Sequence, residues 1–148
     1  MKGANLSGAD MQGDILLKAN LKDANLSGAN LVAADLTSAR MAGADVQGAD
    51  FDHANLFDVS SGGLAGTPQA LPAAFWSVID GHFVGPGADL EFADLDGVDL
   101  QGAHLESGFL QYAQLSGANL AGSHLMYVFL GHANLSGADL FFSDMKHS

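Results

Sequence analysis

The side chains able to do chemistry are few, and their spacing suits catalysis poorly. Cysteine is absent, which removes thiolate nucleophiles, thiolate metal ligands and disulfides. His104 and His124 stand twenty residues apart in similar surroundings, Ala103-His104-Leu105 and Ser123-His124-Leu125. Two imidazoles are half of a zinc site, but no third ligand stands at a spacing such as H-E-x-x-H, so neither a metal nor a cofactor is expected. Acids also pair, as in Asp94 with Asp96. Acid–base work would need a cleft that desolvates one carboxyl and leaves the other charged. No glycine-rich phosphate loop precedes a helix and no nucleophile elbow occurs. The expectation is a protein that is not an enzyme and has no catalytic residues.

What positions these residues is a strict period of five. With the central residue of each block called i, the register holds from Ala4 to Asp58 and again from Ala88 to His147, giving 23 blocks. Position i is Leu in 18 of them, and Met11, Met41, Met145, Val46 and Phe51 complete the column without one polar residue. Position i−2 is Ala in 17 blocks and i−1 is Asn or Asp in 16. A 3.6-residue helix would drift against this period and strand alternation cannot run on indefinitely, so each block must end in a turn. Positions i−2 and i share one side of an extended segment while i−1 points away, so Leu and Ala fill an interior and Asn or Asp serves the corners. Asp14 breaks the small-residue column and is tolerated only near an open end, since a carboxylate in an apolar core is costly without partners.

Blocks such as Ala24-Asn25-Leu26-Ser27-Gly28 and Ala118-Asn119-Leu120-Ala121-Gly122 resemble the A(D/N)LXX unit of pentapeptide repeat proteins. The resemblance implies an all-β fold: a right-handed quadrilateral parallel β-helix with four blocks per coil. The repeats amount to nearly six coils, a rod about 28 Å long at a strand spacing of roughly 4.8 Å. A chain of 148 residues is read as one domain, with repeat halves 4–58 and 88–147 around an interruption at 59–87. That interruption holds all three prolines and the only tryptophan. Within it, Asp80-Gly81 separates the apolar runs around Trp76 and Phe83, which predicts a hairpin with a two-residue turn, projecting from the rod.

A coil of twenty residues gives every outer side chain an address. It predicts ladders of His104 with His124 followed by Asp144, Phe109 with Phe129, and Tyr112 with His132, with Met126 and Tyr127 at a corner. Such a patch is rich in types favoured at protein interfaces. The charge is −12, and no Lys or Arg lies between Arg40 and Lys146, an interval holding thirteen acids. Clustered cations are what phosphate backbones and anionic membranes need, so direct nucleic-acid or membrane binding is not expected. A protein partner with a basic or apolar surface is.

The leading expectation is therefore a non-catalytic structural and protein-interaction module, using the aromatic and histidine faces or the hairpin. A second follows from the resemblance, because some family members that confer quinolone resistance imitate DNA and bind gyrase. Here Asp45, Asp50, Asp52, Asp58, Asp89, Glu91, Asp94, Asp96 and Asp99 would supply the acidic stripe. The exposed coil ends are unpaired strand edges. They imply stacking on a second copy as a homodimer, cover by Phe141 and Phe142, or a spacer fragment of a longer protein. No signal peptide opens the chain and no apolar run reaches about 20 residues, so a cytoplasmic location is expected.

Overall fold

In the computed structural model, which describes residues 1–73 and 75–148, the chain winds into a square tube. Successive coils within each half are joined by parallel bridges between i−1 residues twenty apart. Asn5, Asn25, Asp45 and Ala65 climb the first face, Asp10, Asn30, Asp50 and Ala70 the second, Ile15, Asp35 and Asn55 the third, and Asn20, Arg40 and Ser60 the fourth. The rungs are held by backbone bonds such as Leu26 N–H to Asp45 C=O at 2.8 Å and Asp45 N–H to Ala24 C=O at 2.9 Å. Each corner closes when the next i−2 amide donates to the carbonyl of i, as Ala29 does to Leu26 at 2.9 Å. The residue before that amide adopts a left-handed φ, for example +64° at Gly28 and +56° at Ala33, as the third residue of a type II turn must. Glycine meets this demand without strain, which explains its frequency at the last position of the block.

The interior is as the two columns require. Leu21, Leu26, Leu31 and Leu36 are fully buried, as are Leu95, Leu105, Leu110 and Leu115 after the interruption. Asp14 is exposed in the first coil, and Ile15 beside it is 81% exposed.

Two features of the interruption differ from the expectation. First, residues 59–70 lose the sequence pattern but keep the backbone register, since Ala65 and Ala70 still pair with Asp45 and Asp50. Pairing uses main-chain groups, so a segment laid on an existing edge follows it without the leucine column. The segment makes a turn of its own between the repeat coils and returns at Asp89, which pairs with Ser60. Second, the hairpin does not project. β1 (Ser77–Ile79) and β2 (His82–Val84) pair antiparallel around Asp80 and Gly81, both at positive φ. This is the type I′ signature.

The hairpin crosses the tube as a partition. Its root lies at the third face, where Phe75 packs tilted against His104 with centroids 4.2 Å apart. Its tip reaches the opposite corner, where Gly81 C=O accepts from Leu64 N–H at 3.0 Å. Strand alternation sends Val78 and Phe83 into the lower core and Ile79 and Val84 into the upper one, while Trp76 touches both. Phe83 is completely buried, edge-on to Phe51 at 5.4 Å. Gly85 is required by this packing, because a Cβ there would lie 2.2 Å from the Trp76 indole. Burial of apolar area decides the outcome: a three-residue hairpin is unstable in water, and the tube offers it two cores.

Candidate interaction surface

The twenty-residue coil brings the predicted ladders together. His104 and His124 stack with centroids 4.1 Å apart and planes within 8°, and His124 bridges to Asp144 above. Phe109 and Phe129 stack at 5.4 Å on the fourth face, and Tyr112 and His132 at 4.9 Å on the corner beyond it. Met126 is half-buried and Tyr127 is exposed at the opposite corner. Four further rings extend these ladders. Phe92 stacks under Tyr112, twenty residues earlier, and His147 stacks over Tyr127, twenty residues later. These two were legible from the same arithmetic. Phe57 beside Phe109 and Phe75 under His104 were not, because the intervening coil is nine residues longer than the others, 29 between Ser60 and Asp89 against 20.

The upper fourth face and its two corners thus carry Phe109 and Phe129 flanked by Phe92, Tyr112 and His132 on one side and Tyr127 and His147 on the other. Phe92 is 68% exposed, Tyr127 56% and Phe129 53%. A groove of about 480 Å³ runs between Tyr127, Phe129, Leu130, Gln111 and His147. The corner rings stand at turn positions with φ of +60° at Phe92, +61° at Tyr112, +59° at Tyr127, +63° at His132 and +64° at His147. A bulky residue in this region is strained by about 1–2 kcal/mol relative to glycine. Stacking offsets part of that, since aromatic pairs contribute about 0.5–1.5 kcal/mol beyond area burial. Phe141 and Phe142 do not fold over a coil end; they lean on each other at 4.2 Å and remain 66% and 84% exposed.

The acids divide unevenly. Asp45, Asp94 and Asp96 lie on the first face and Asp50, Asp52 and Asp99 on the second, adjacent to it. Asp58, Asp89 and Glu91 gather instead where the chain re-enters the coil, on the fourth face and its corner. Most of the i−1 carboxylates have a structural task. Asp45 accepts from Gln47 N–H at 3.0 Å, Asp50 from Asp52 N–H at 3.0 Å and Asp99 from Gln101 N–H at 3.2 Å, each closing a corner. Asp94 makes a longer bond of this kind to Asp96 N–H, and Asp96 accepts from Ser116 N–H one coil above at 2.7 Å. Neighbouring rungs interleave amides with acids, as where Asn119 donates to Asp99.

Two carboxyls depart from their ordinary range in opposite directions. The Thr37 hydroxyl, and then the Thr37 N–H, hold Asp35 below it. Burial pushes Asp89 above it; the bond from Glu91 N–H opposes the rise, and repulsion from Asp58 and Glu91 adds to it. The cations of the first coils, Lys2, Lys22 and Arg40, occupy the fourth face below the aromatic patch, with Lys18 at its corner. In the hairpin, Asp80 is exposed while Gly81 is packed against Gly63 and Leu64, and Trp76 and Phe83 are committed to the cores.

The third ligand that the sequence did not offer to the histidines is Glu106. His104 Nδ1 lies 2.9 Å and His124 Nδ1 3.8 Å from Glu106 Oε1. The signal was present as His104-Leu105-Glu106, two positions apart on one face of an extended segment, but it has meaning only once His124 is placed above.

Four parallel ladders around an apolar core define a β-helical repeat protein. The chain matches the family described as pentapeptide repeats, in 8 copies over residues 19–56, 86–122 and 113–148. It belongs to the pentapeptide repeat family, and its tube is the right-handed β-helix of that family. Among solved structures it is similar to the pentapeptide repeat protein Rfr23 from the cyanobacterium Cyanothece 51142, at 26% identity over 96% of this chain and 85% of that one, TM-score 0.37. It is also similar to HetL from Nostoc sp. strain PCC 7120, involved in heterocyst differentiation regulation, at 28% identity over 99% of this chain and 60% of that one, TM-score 0.34. A third is QnrB1, a plasmid-mediated fluoroquinolone resistance protein, at 18% identity over 97% and 83%, TM-score 0.42. No curated protein sequence matches the chain. Among the described residues, no helix is long and apolar enough to cross a membrane.

Proposed function

We propose that the protein is a non-catalytic binding module whose recognition surface is the aromatic fourth face of the upper coils, with a protein partner of apolar or basic surface. The observation that carries this reading is the strain at the corners. Ten corner positions of the repeats use glycine at the same φ, including Gly97, Gly102, Gly117 and Gly122 in the upper coils, yet Phe92, Tyr112 and His132 occupy one corner column on three successive rungs. A column of rings held where glycine is easier, and left more than two-fifths exposed at Phe92 and Tyr112, is explained by contact with something outside the chain. Aromatic types at the centre of a patch are those that dominate interface energetics.

The test is affinity capture with the full chain against Tyr112→Gly combined with Phe109→Ser and Phe129→Ser, and against Lys22→Ser with Arg40→Ser on the same face of the lower coils. Discrete partners lost only with the first set support the reading. Capture indifferent to the aromatic set overturns it. Sedimentation of the two sets across a concentration series shows whether the partner is a second copy.

The gathering of six acids on two adjacent faces favours a second reading, an acidic DNA mimic that engages a topoisomerase such as gyrase. Its signature is binding that weakens steeply between low and high salt as ions screen the carboxylates. Absence of gyrase binding at low salt removes it.

A further inference from the structure

On the third face, beside the corner that carries Tyr127 and His147, three potential ligand atoms converge. One nitrogen of His104, one of His124 and a carboxylate oxygen of Glu106 lie within 4.8 Å of one another. The side chains are about a quarter exposed at His104 and Glu106, 26% and 24%, and 45% at His124. Phe75 covers the lower side of His104 at 4.2 Å. Within this half-enclosed space Glu106 Oε2 is buried and has no hydrogen-bond partner among the described residues. An anionic oxygen withdrawn from water without a donor calls for a compensating charge or a trapped water. Neither histidine does the usual work of its position, because an imidazole has replaced the Asn or Asp whose oxygen closes the corner; His104 instead turns Nδ1 to Glu106 at 2.9 Å.

We propose that His104, Glu106 and His124 bind a divalent first-row transition-metal ion of the zinc type. Two imidazole nitrogens and one carboxylate oxygen form a donor set suited to such ions, whereas Mg²⁺ and Ca²⁺ take oxygen ligands. Around a tetrahedral ion with bonds of about 2.0–2.1 Å, ligand atoms stand roughly 3.3–3.5 Å apart. The present separations from Glu106 Oε1, 2.9 and 3.8 Å, straddle that value, so each of these two distances changes by less than about 1 Å. The rings, parallel within 8°, cannot both aim a lone pair at one point, and coordination turns them apart about χ2. Each ring would bind the ion through Nδ1 as the neutral tautomer that carries its one proton on Nε2, and water completes the shell. Because His104 and Glu106 belong to one coil and His124 to the next, the ion clips two coils together.

Calorimetric titration of the chelator-treated full chain with ZnCl₂, beside MgCl₂, tests this. One saturable zinc site is expected, with no magnesium binding. Affinity should fall at least about tenfold in Glu106→Gln and in His124→Asn, and stay unchanged in His53→Asn at a corner of the lower coils. Imidazole nitrogen resonances of the unmutated chain give an independent readout: one equivalent of zinc should shift His104 and His124 and leave His53 and His132 in place. No saturable binding, equal binding by all variants, or shifts confined to the other histidines would overturn the site. If Glu106→Gln does not fold, the resonances of the unmutated chain decide alone. A trapped water in place of an ion gives neither heat nor shifts, and also ends the proposal.

Discussion

Along the fourth face, the coils below the hairpin and those above it share an interior and differ in almost everything outside. Below, the outward residues are Asn20, Arg40 and Ser60, with Asp23, Gly43 and Gly63 at the corner. Above, they are Asp89, Phe109 and Phe129, with Phe92, Tyr112 and His132 at the corner. Yet Leu21 and Leu26 and their counterparts Leu110 and Leu115 are equally buried. The inner columns hold the fold and the main chain holds the register, which leaves the outer columns free to carry charge in one half and rings in the other.

The comparison depends on the two halves being one body, and the hairpin joins them. Apart from Ser60 with Asp89 on the fourth face, no bridge links the coils on either side of it among the described residues. Phe83→Ala should therefore cost about 3–5 kcal/mol in chemical denaturation, or separate the transition into two. A single transition with a loss under about 1 kcal/mol would mean that the partition is not the joint. If the interiors are equivalent, Ala34→Leu and Ala118→Leu should each cost about 1–3 kcal/mol and by similar amounts, because both sites are closed to solvent. Unequal losses would show that the halves differ inside as well.

Smaller effects separate the outer columns. Ala33→Gly, at +56° in the lower half, should stabilise by about 1 kcal/mol by relieving a strained φ. Tyr112→Gly relieves a similar strain but breaks two stacks, so stability should change by less than about 1 kcal/mol while partner binding is lost. A large destabilisation by Tyr112→Gly would reassign the ladder to structure. The smallest effect is at the re-entry cluster. Asp89 titrates above the ordinary 3.8 in the folded state, so its ionisation opposes folding. That penalty is absent below pH 3.8, where both states are protonated, and complete above the raised value. Asp89→Asn, which keeps an oxygen for Glu91 N–H, should gain under about 0.5 kcal/mol at pH 7, because the group is half in solvent, and nothing at pH 3.

The ladders of Phe109 with Phe129, Tyr112 with His132 and His104 with His124 were legible in the sequence. A fixed coil length turns sequence separation into spatial position, and the separation was twenty in every case. The same rule holds for Phe92 and His147, which stand twenty residues from Tyr112 and Tyr127 and belong to the patch. Phe57, Phe75 and Glu106 obey no such rule across the interruption or across the face. Their positions depend on how many residues the irregular coil absorbs and on which way side chains turn once there.

By itself the sequence determined the square coil, the burial of its leucine and alanine columns and the two-residue hairpin turn, because each follows from local chemistry repeated in register. Only the tertiary structure decided that the hairpin lies inside the tube rather than outside it, and that Glu106 meets two histidines from different coils. Those outcomes rest on apolar area competing for burial between segments far apart in the chain, a competition that no local pattern records.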